Sequence, residues 1–202
     1  MQKPQSNSRK NLLRPGPAIV IGLLAALLST RPAEANLVVN PGFETGDFTG
    51  WTRGGNTTLS TVAGPYSHSG NFGANFGQVT IPGTLSQTIA TSPGASYTID
   101  FWLKNLAGPF NSPNTPNFFS ASFGGNVLAS LTDAAPFDYT EFTYNVVAST
   151  SSALLEFTFR EDPAAWYFDD VSVVGSVPEP GTLGLFVVGL AVLGFRRARR
   201  SA

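Results

Sequence analysis

Residues 96–104 read Ser-Tyr-Thr-Ile-Asp-Phe-Trp-Leu-Lys, and the fold prediction rests first on their alternation. Every second side chain is apolar, so an extended chain would carry one apolar face and one polar face. The apolar face consists of Tyr97, Ile99, Phe101 and Leu103. The opposite face consists of Thr98, Asp100, Trp102 and Lys104. This period of two predicts a β-strand that covers a core on one side.

Stretches on both sides of residues 96–104 show similar strand signals. They are short, rich in threonine, aromatic and β-branched residues, and separated by glycine or proline. They cover residues 57–62, 84–90, 119–123, 126–131, 139–148, 153–160 and 166–174. Between them no stretch shows ten residues of helical period with caps. Eight to ten short strands joined by turns predict an all-β, antiparallel sandwich.

Three groups of residues resemble the galactose-binding-like jelly rolls, the fold of many carbohydrate-binding modules. The first is Asn40-Pro41-Gly42-Phe43-Glu44 followed by Gly50-Trp51. The second comprises residues 85–89, Pro93-Gly94 and residues 97–103, and the third is the closing segment 168–173. The resemblance extends over residues 36–174 and implies a jelly-roll β-sandwich. It says little about function, because a common sandwich serves many binding tasks.

Residues 1–35 have the pattern of a secretory signal peptide. Four basic residues precede an apolar core at residues 18–28, and Ala33-Glu34-Ala35 is a small-x-small cleavage site. We expect a short helix that the Sec translocon and signal peptidase process, so that the mature protein begins near Asn36. An uncleaved signal anchor is the alternative.

Residues 176–202 form a second targeting segment. Val177-Pro178-Glu179-Pro180 precedes an apolar run at residues 181–195, and the chain then carries Arg196, Arg197, Arg199 and Arg200. As a helix the run would be roughly 22 Å long, against about 30 Å of hydrocarbon. The arginines would stay on the cytoplasmic side. The pattern therefore predicts a short transmembrane helix that makes a poor permanent span.

The order of the Val-Pro-Glu-Pro motif, the apolar run and the arginine cluster resembles the PEP-CTERM sorting signal of Gram-negative bacteria. The resemblance implies that an exosortase, a membrane-embedded cysteine transpeptidase, reads the tail and releases or transfers the cargo toward the cell surface. Contact with the inner membrane would then be transient. The alternative is a plain tail anchor, in which the mature protein keeps residues 181–202.

The predicted domain, residues 36–175, is acidic. Three basic and eleven acidic side chains give residues 36–177 a net charge of −8. Nucleic-acid binding requires a basic face, so that function is excluded, and divalent cations suit this surface better. The chain has no cysteine, which excludes thiol catalysis, iron–sulfur clusters and cysteine-bound zinc. The single histidine, His68, lies in a loop and is expected to be solvated.

Two aspartates in the closing strand are candidates for a metal site. If Val171 and Val173 face the core, period two places Asp169 on the core face and Asp170 on the other. A buried carboxylate requires a partner. The jelly-roll resemblance implies that Glu44 and Asp170 join the first and last strands through a structural calcium ion. The alternative is that these carboxylates accept hydrogen bonds from the backbone or from Arg160 without a metal.

Trp102 is the candidate for ligand binding, with Asp100 and Lys104 beside it on the same face. Flat aromatic side chains stack on the C–H face of sugar rings, and Phe110 in the long loop 105–117 would form part of a rim. The alternative is that both faces of the strand are covered and Trp102 is simply packed. Trp51 and Trp166 are expected to be core or rim residues.

No catalytic motif is present: the chain has no Gly-x-Ser-x-Gly and no His-Glu-x-x-His. We expect an exported, exosortase-sorted, non-catalytic protein of the cell surface or of an extracellular exopolysaccharide or biofilm matrix. The alternative is a carbohydrate-binding module with a defined glycan groove. A glycan-active enzyme is the third alternative.

Overall fold

The computed structural model describes residues 35–109 and 115–175. The predicted signal-peptide helix, the predicted transmembrane helix and Phe110 lie outside these residues. In the described ranges no helix is long and apolar enough to cross a membrane. The elements there are one 3-10 turn, Gly64–Tyr66, and the strands β1 (Thr52–Gly55), β2 (Ser60–Ala63), β3 (Gly73–Phe76), β4 (Gly83–Ala90), β5 (Ser96–Asn105), β6 (Asn117–Phe123), β7 (Asn126–Thr132), β8 (Phe137–Val147), β9 (Ser152–Glu161) and β10 (Trp166–Gly175).

The strands form two five-stranded antiparallel sheets. The first sheet has the order β1-β4-β9-β6-β7, and the second has the order β2-β3-β10-β5-β8. The predicted all-β antiparallel sandwich is therefore confirmed, and the stretch that predicted it becomes β5, between β10 and β8. Two strands, β1 and β3, have no counterpart in the sequence prediction, and β2 begins at Ser60 rather than at residue 57.

The core lies between the inner faces of the two sheets. The predicted apolar face of β5 is buried, with Ile99, Phe101 and Leu103 all at 0% exposure. The rings of Phe76 in β3 and Phe159 in β9 stack across the core, 3.9 Å apart and nearly parallel. Burial of a large apolar side chain contributes about 1.5–3 kcal/mol. Trp51 and Trp166 belong to this core, as expected.

The opening segment is bound to both sheets. The side chain of Asn36 donates to Val171 O at 2.9 Å and accepts from Val173 N at 3.0 Å, both in β10 of the second sheet. In the first sheet, the amide of Gln87 bonds to the backbone of Val39 and Gly50. These contacts hold the first residues of the described chain against its last strand.

An irregularity in β10 changes which way its aspartates face. The register between β10 and β5 shifts between Asp169 and Ser172, and Asp170 has a φ of 49°. Asp169 pairs with Trp102 and therefore lies on the outer side of the sheet, whereas Val171 is buried in the core. The prediction that Asp169 shares a face with Val171 is wrong, because the bulge breaks the period of two.

Candidate functional site

The outer face of the second sheet carries the side chains around Trp102. Trp102 lies between Asp169 of β10 and Glu141 of β8 in the sheet register. The next outward row, two residues along β5, consists of Ser172, Asp100 and Thr143. Directly opposed residues have Cβ atoms about 4.5–5.5 Å apart. We define the Trp102 face as Asp100, Trp102, Glu141, Thr143 and Ser172.

His68 covers one side of the indole ring. The ring centroids of His68 and Trp102 are 3.8 Å apart, and the ring planes differ by 13°. The imidazole also lies 5.1 Å from the ring of Tyr139. The His68 side chain is only 28% exposed. The prediction of a solvated histidine is therefore wrong, because the loop that carries it folds back onto the sheet.

Two carboxylates of β10 hold this loop in place. The backbone N–H groups of His68 and Ser69 donate to Asp169 Oδ2 at 2.7 and 3.2 Å. His68 Nδ1 lies 2.7 Å from Asp170 Oδ2, and Ser69 Oγ donates to Asp170 Oδ1 at 2.8 Å. Asp169 is fully buried beneath the loop, and this burial raises its pKa to about 6.

The other side of the indole has no aromatic neighbour among the described residues. Lys104 Nζ lies 5.9 Å from the Tyr139 ring, so Tyr139 is on the Lys104 side of Trp102. His68 thus contacts the rings of both Trp102 and Tyr139. Trp102 is thus on the outer face, as predicted, but it offers one stacking surface rather than two.

Lys104 is paired with a neighbouring carboxylate. Its ammonium forms a 2.8 Å ion pair with Asp138, and the hydrogen bond from Lys104 lowers the pKa of that carboxyl. The hydroxyl of Tyr139 donates to Tyr66 O, which ties β8 to the 3-10 turn. Burial raises the pKa of Tyr139 above its ordinary value. Lys104, Asp138 and the Tyr139 hydroxyl therefore all have partners among the described residues.

A shallow cleft lies at the far end of β5. Its volume is about 260 Å³, and its lining consists of Lys104, Asn105, Leu106, Ala107, Pro136, Phe137 and Asp138. Lys104 is the one member of the predicted ligand set that lines it.

Two of the three predicted calcium ligands, Asp169 and Asp170, bring a carboxylate oxygen close to Gly42, whereas Glu44 approaches it with Cγ and has its carboxylate beside Gly70. Asp170 Oδ1, Asp169 Oδ1 and Glu44 Cγ lie 3.4, 3.5 and 3.8 Å from the point where a Cβ atom on Gly42 would stand. Glu44 accepts the backbone N–H groups of Asn71 and Phe72 at 2.9 and 3.1 Å, and these bonds lower its pKa.

Glu44 and Asp169 accept hydrogen bonds from the backbone, as the metal-free alternative predicts. Arg160, the other donor that this alternative named, bonds to Asp162 instead. No group of three acidic or histidine side chains in the described part of the chain has metal-site geometry. The calcium ion stays a prediction.

Glu161 is a buried polar residue that the sequence analysis missed. It is 0% exposed, and neither carboxylate oxygen has a hydrogen-bond partner among the described residues. The Oε1 atom of buried Gln78 also lacks one. Burial, and then the charges of Asp162 and Asp133, raise the pKa of Glu161 to about 8. Phe157, Phe159 and Glu161 alternate along β9 and all face inward. A predicted strand that ended at residue 161 instead of 160 would have placed Glu161 in the core.

The C-terminal segment supplies the decisive comparison. Residues 176–200 match the PEP-CTERM protein-sorting motif. This PEP-CTERM match includes Val177, Pro178, Glu179, Pro180 and the four arginines that the sequence analysis selected, all of them outside the described residues. It indicates export and exosortase-mediated sorting. No curated protein matches the chain.

Solved structures resemble the domain that the PEP-CTERM motif follows. TmCBM61, solved in complex with β-1,4-galactotriose, has a TM-score of 0.57 at 20% identity, covering 70% of this chain and 99% of that one. A family 16 carbohydrate-binding module has a TM-score of 0.50 at 16% identity, with 69% and 99% covered. The enzymatically active domain of tailspike protein 4 from bacteriophage CBA120 has a TM-score of 0.51 at 17% identity, but the match covers only 21% of that chain and 70% of this one. These similarities show a jelly-roll fold like that of carbohydrate-binding modules.

Proposed function

We propose that this chain is a non-catalytic, exosortase-sorted protein of the cell surface or exopolysaccharide matrix, and that its sandwich binds glycan through the Trp102 face. The observation that carries the proposal is the outward-facing indole of Trp102, whose side opposite His68 has no aromatic neighbour among the described residues. Sugar rings present C–H groups that pack against the electron-rich face of an aromatic ring. Carbohydrate-binding modules of the same fold make glycan the natural class of ligand to test.

Polar side chains of the kind that bind sugar hydroxyls lie beside Trp102 on the outer face of the sheet. The side chains of Asp100, Glu141, Thr143 and Ser172 make no hydrogen bond to other described residues. Ligand sites generally combine an apolar surface with a few oriented polar groups. The Trp102 face has this composition and is held rigid at one edge by the bound loop of His68.

A glycan array with the full-length protein in detergent tests the binding proposal. Loss of the indole in Trp102→Ala should abolish binding, whereas Trp102→Phe keeps a smaller ring and should retain part of it. Val127→Ala, which trims an exposed side chain in the first sheet, is the matched control. Absence of binding to every glycan would refute glycan recognition. Release of reducing ends from a bound glycan would refute the non-catalytic assignment.

The sorting proposal concerns both ends of the chain. Cleavage after Ala35 would leave Asn36 as the first residue, and the side chain of Asn36 already bonds to β10. Intact-mass measurement in exosortase-containing cells should show loss of residues 1–35 and of the C-terminal helix. Substitution of Pro178, Glu179 and Pro180 by alanine should preserve the C-terminal helix. Recovery of the unprocessed wild-type chain would contradict the proposal.

We also propose that Glu44, Asp169 and Asp170 hold a structural calcium ion. Calcium takes six to eight oxygen ligands, and the carboxylates of Asp169 and Asp170 near Gly42 and of Glu44 beside Gly70 would supply hard, negatively charged oxygens. An ion bound only to the folded state would raise the melting temperature. Calcium should therefore raise the melting temperature of the EDTA-treated protein, and Glu44→Gln should remove that shift. An unchanged midpoint would refute the site.

A further inference from the structure

The charges of the Trp102 face suggest which glycans it selects. We propose that this face prefers glycans with free amino groups, such as polymers of unacetylated hexosamine, over uronic-acid polymers. The inference rests on the proposed glycan binding and concerns the chemistry of the ligand.

Two carboxylates on the face have no ion-pair partner among the described residues. Glu141 is exposed and lies directly across from Trp102, and Asp100 is half-buried two residues along β5. The ion pairs present nearby are Lys104 with Asp138 and His68 with Asp170. Both potential cations of this surface are therefore already balanced, and Asp100 and Glu141 leave a net negative charge beside the indole.

The two arginines of the described chain do not neutralise this negative charge, because one is paired with another carboxylate and the other lies in the first sheet. Arg160 pairs with Asp162 at 2.8 Å. Arg53 belongs to β1 in the first sheet, where its guanidinium lies 4.8 Å from the centre of the Phe48 ring. The Trp102 face is consequently a locally acidic surface within an acidic domain.

The position of the carboxylates suits a sugar that stacks on the indole. Glu141 is about 4.5–5.5 Å from Trp102 between Cβ atoms, and Asp100 is one strand repeat of about 7 Å away. Both lie within reach of a substituent on a hexose ring packed against the outward-facing indole. An ammonium group there would gain two carboxylates and the electron-rich indole face.

A uronate carboxylate in the same place would instead meet two like charges. Exposed ion pairs and cation–π contacts are individually weak, and together they favour an amino sugar by roughly tenfold over its N-acetylated form. Because these interactions are solvent-exposed, the preference should shrink as salt shortens the screening length from about 10 Å at 0.1 M.

Three oligosaccharides of equal length test the inference by calorimetry with the full-length protein in detergent: β-1,4-linked glucosamine, its N-acetylated form and oligogalacturonate. We expect glucosamine oligomers to bind roughly tenfold more tightly than the N-acetylated form, and oligogalacturonate to bind least. The double variant Asp100→Asn/Glu141→Gln should reduce the ratio of the two affinities, for the amino form over the N-acetylated form, to near unity.

Glu156→Gln is the matched control, because Glu156 lies on the outer face of the first sheet, opposite Ser86 and Ser122. An equal loss of preference in this control would show attraction to the overall negative charge and overturn the inference. Equal affinity for the amino and N-acetylated forms would overturn it while leaving glycan binding intact. Failure of all glycans, here and on the array, would refute the proposed function itself.

Discussion

Replacing Glu161 with glutamine isolates the effect of one buried carboxylate on stability. Glu161 ends β9 with 0% exposure and no hydrogen-bond partner among the described residues. Its acidic neighbours are Asp162, which is paired with Arg160, and Asp133, which accepts the backbone N–H of Asn117. Glutamine has nearly the same shape and is neutral at every pH. We therefore expect Glu161→Gln to remove a pH-dependent cost of folding.

The sign and size of the effect follow from the pKa of Glu161. Burial raises this pKa from an ordinary value of 4.5 to about 8. The folded protein thus keeps a proton that the unfolded chain has lost, and stability falls as pH rises between these two values. At about 1.36 kcal/mol per pKa unit, the wild-type protein should lose about 4 kcal/mol from this residue between pH 4.5 and pH 8. The glutamine variant should lose none of it.

Urea unfolding at pH 4.5, 6 and 8, followed by tryptophan fluorescence, measures the difference between the two proteins. Glu161→Gln and wild type should have similar free energies of unfolding at pH 4.5, and the variant should be the more stable by about 4 kcal/mol at pH 8. Glu156→Gln, a change on the outer face of the first sheet, should show no such divergence. A difference between Glu161→Gln and wild type that stays constant with pH would refute the reasoning.

Three further substitutions test the packing described above, each by urea unfolding unless stated. Phe159→Ala removes a stacked ring at 0% exposure and should cost about 3–5 kcal/mol, whereas Leu154→Ala, at 45% exposure in the same strand, should cost less than about 1 kcal/mol. Gly73→Ala should cost more than about 2 kcal/mol, because the new Cβ atom would stand 2.2 Å from Tyr66 O; a neutral result would contradict the close approach. His68→Ala should increase acrylamide quenching of tryptophan fluorescence, since it uncovers the one indole that is not in the core; unchanged quenching would contradict the stack.

The strands could be predicted from the sequence wherever alternation and β-forming residues coincide. β5 and β9 carry an apolar residue at every second position, and both were predicted within two residues of their ends. β1, with the sequence Thr-Arg-Gly-Gly, and β3, with Gly-Ala-Asn-Phe, are four residues long and offer no alternation. They become strands because β1 pairs with β4 and β3 pairs with β10. This pairing depends on tertiary structure and leaves no signal in the local sequence.

The candidate site could be predicted only in part. The period of two along β5 places Trp102 outward together with Asp100, and the structure agrees. The contact between His68 and Trp102 joins residues 34 positions apart, and no pattern within one strand encodes it. Asp169 was assigned to the wrong face because a bulge depends on tertiary contacts that the alternation of valines does not reveal.

The loop of residues 67–72, which covers part of the second sheet, connects the opening motif to the Trp102 face. Glu44 of the opening motif holds Asn71 and Phe72 at one end of the loop, and Asp169 holds His68 at the other. The same carboxylates are the proposed calcium ligands, so an ion there would reinforce the loop by neutralising charges that otherwise repel one another. His68 is the part of the loop that covers Trp102. The rigidity of the proposed glycan surface therefore depends on how firmly the first and last segments of the domain are joined. The buried Asp169, directly opposite Trp102, would act as a positioning residue by holding the backbone of His68.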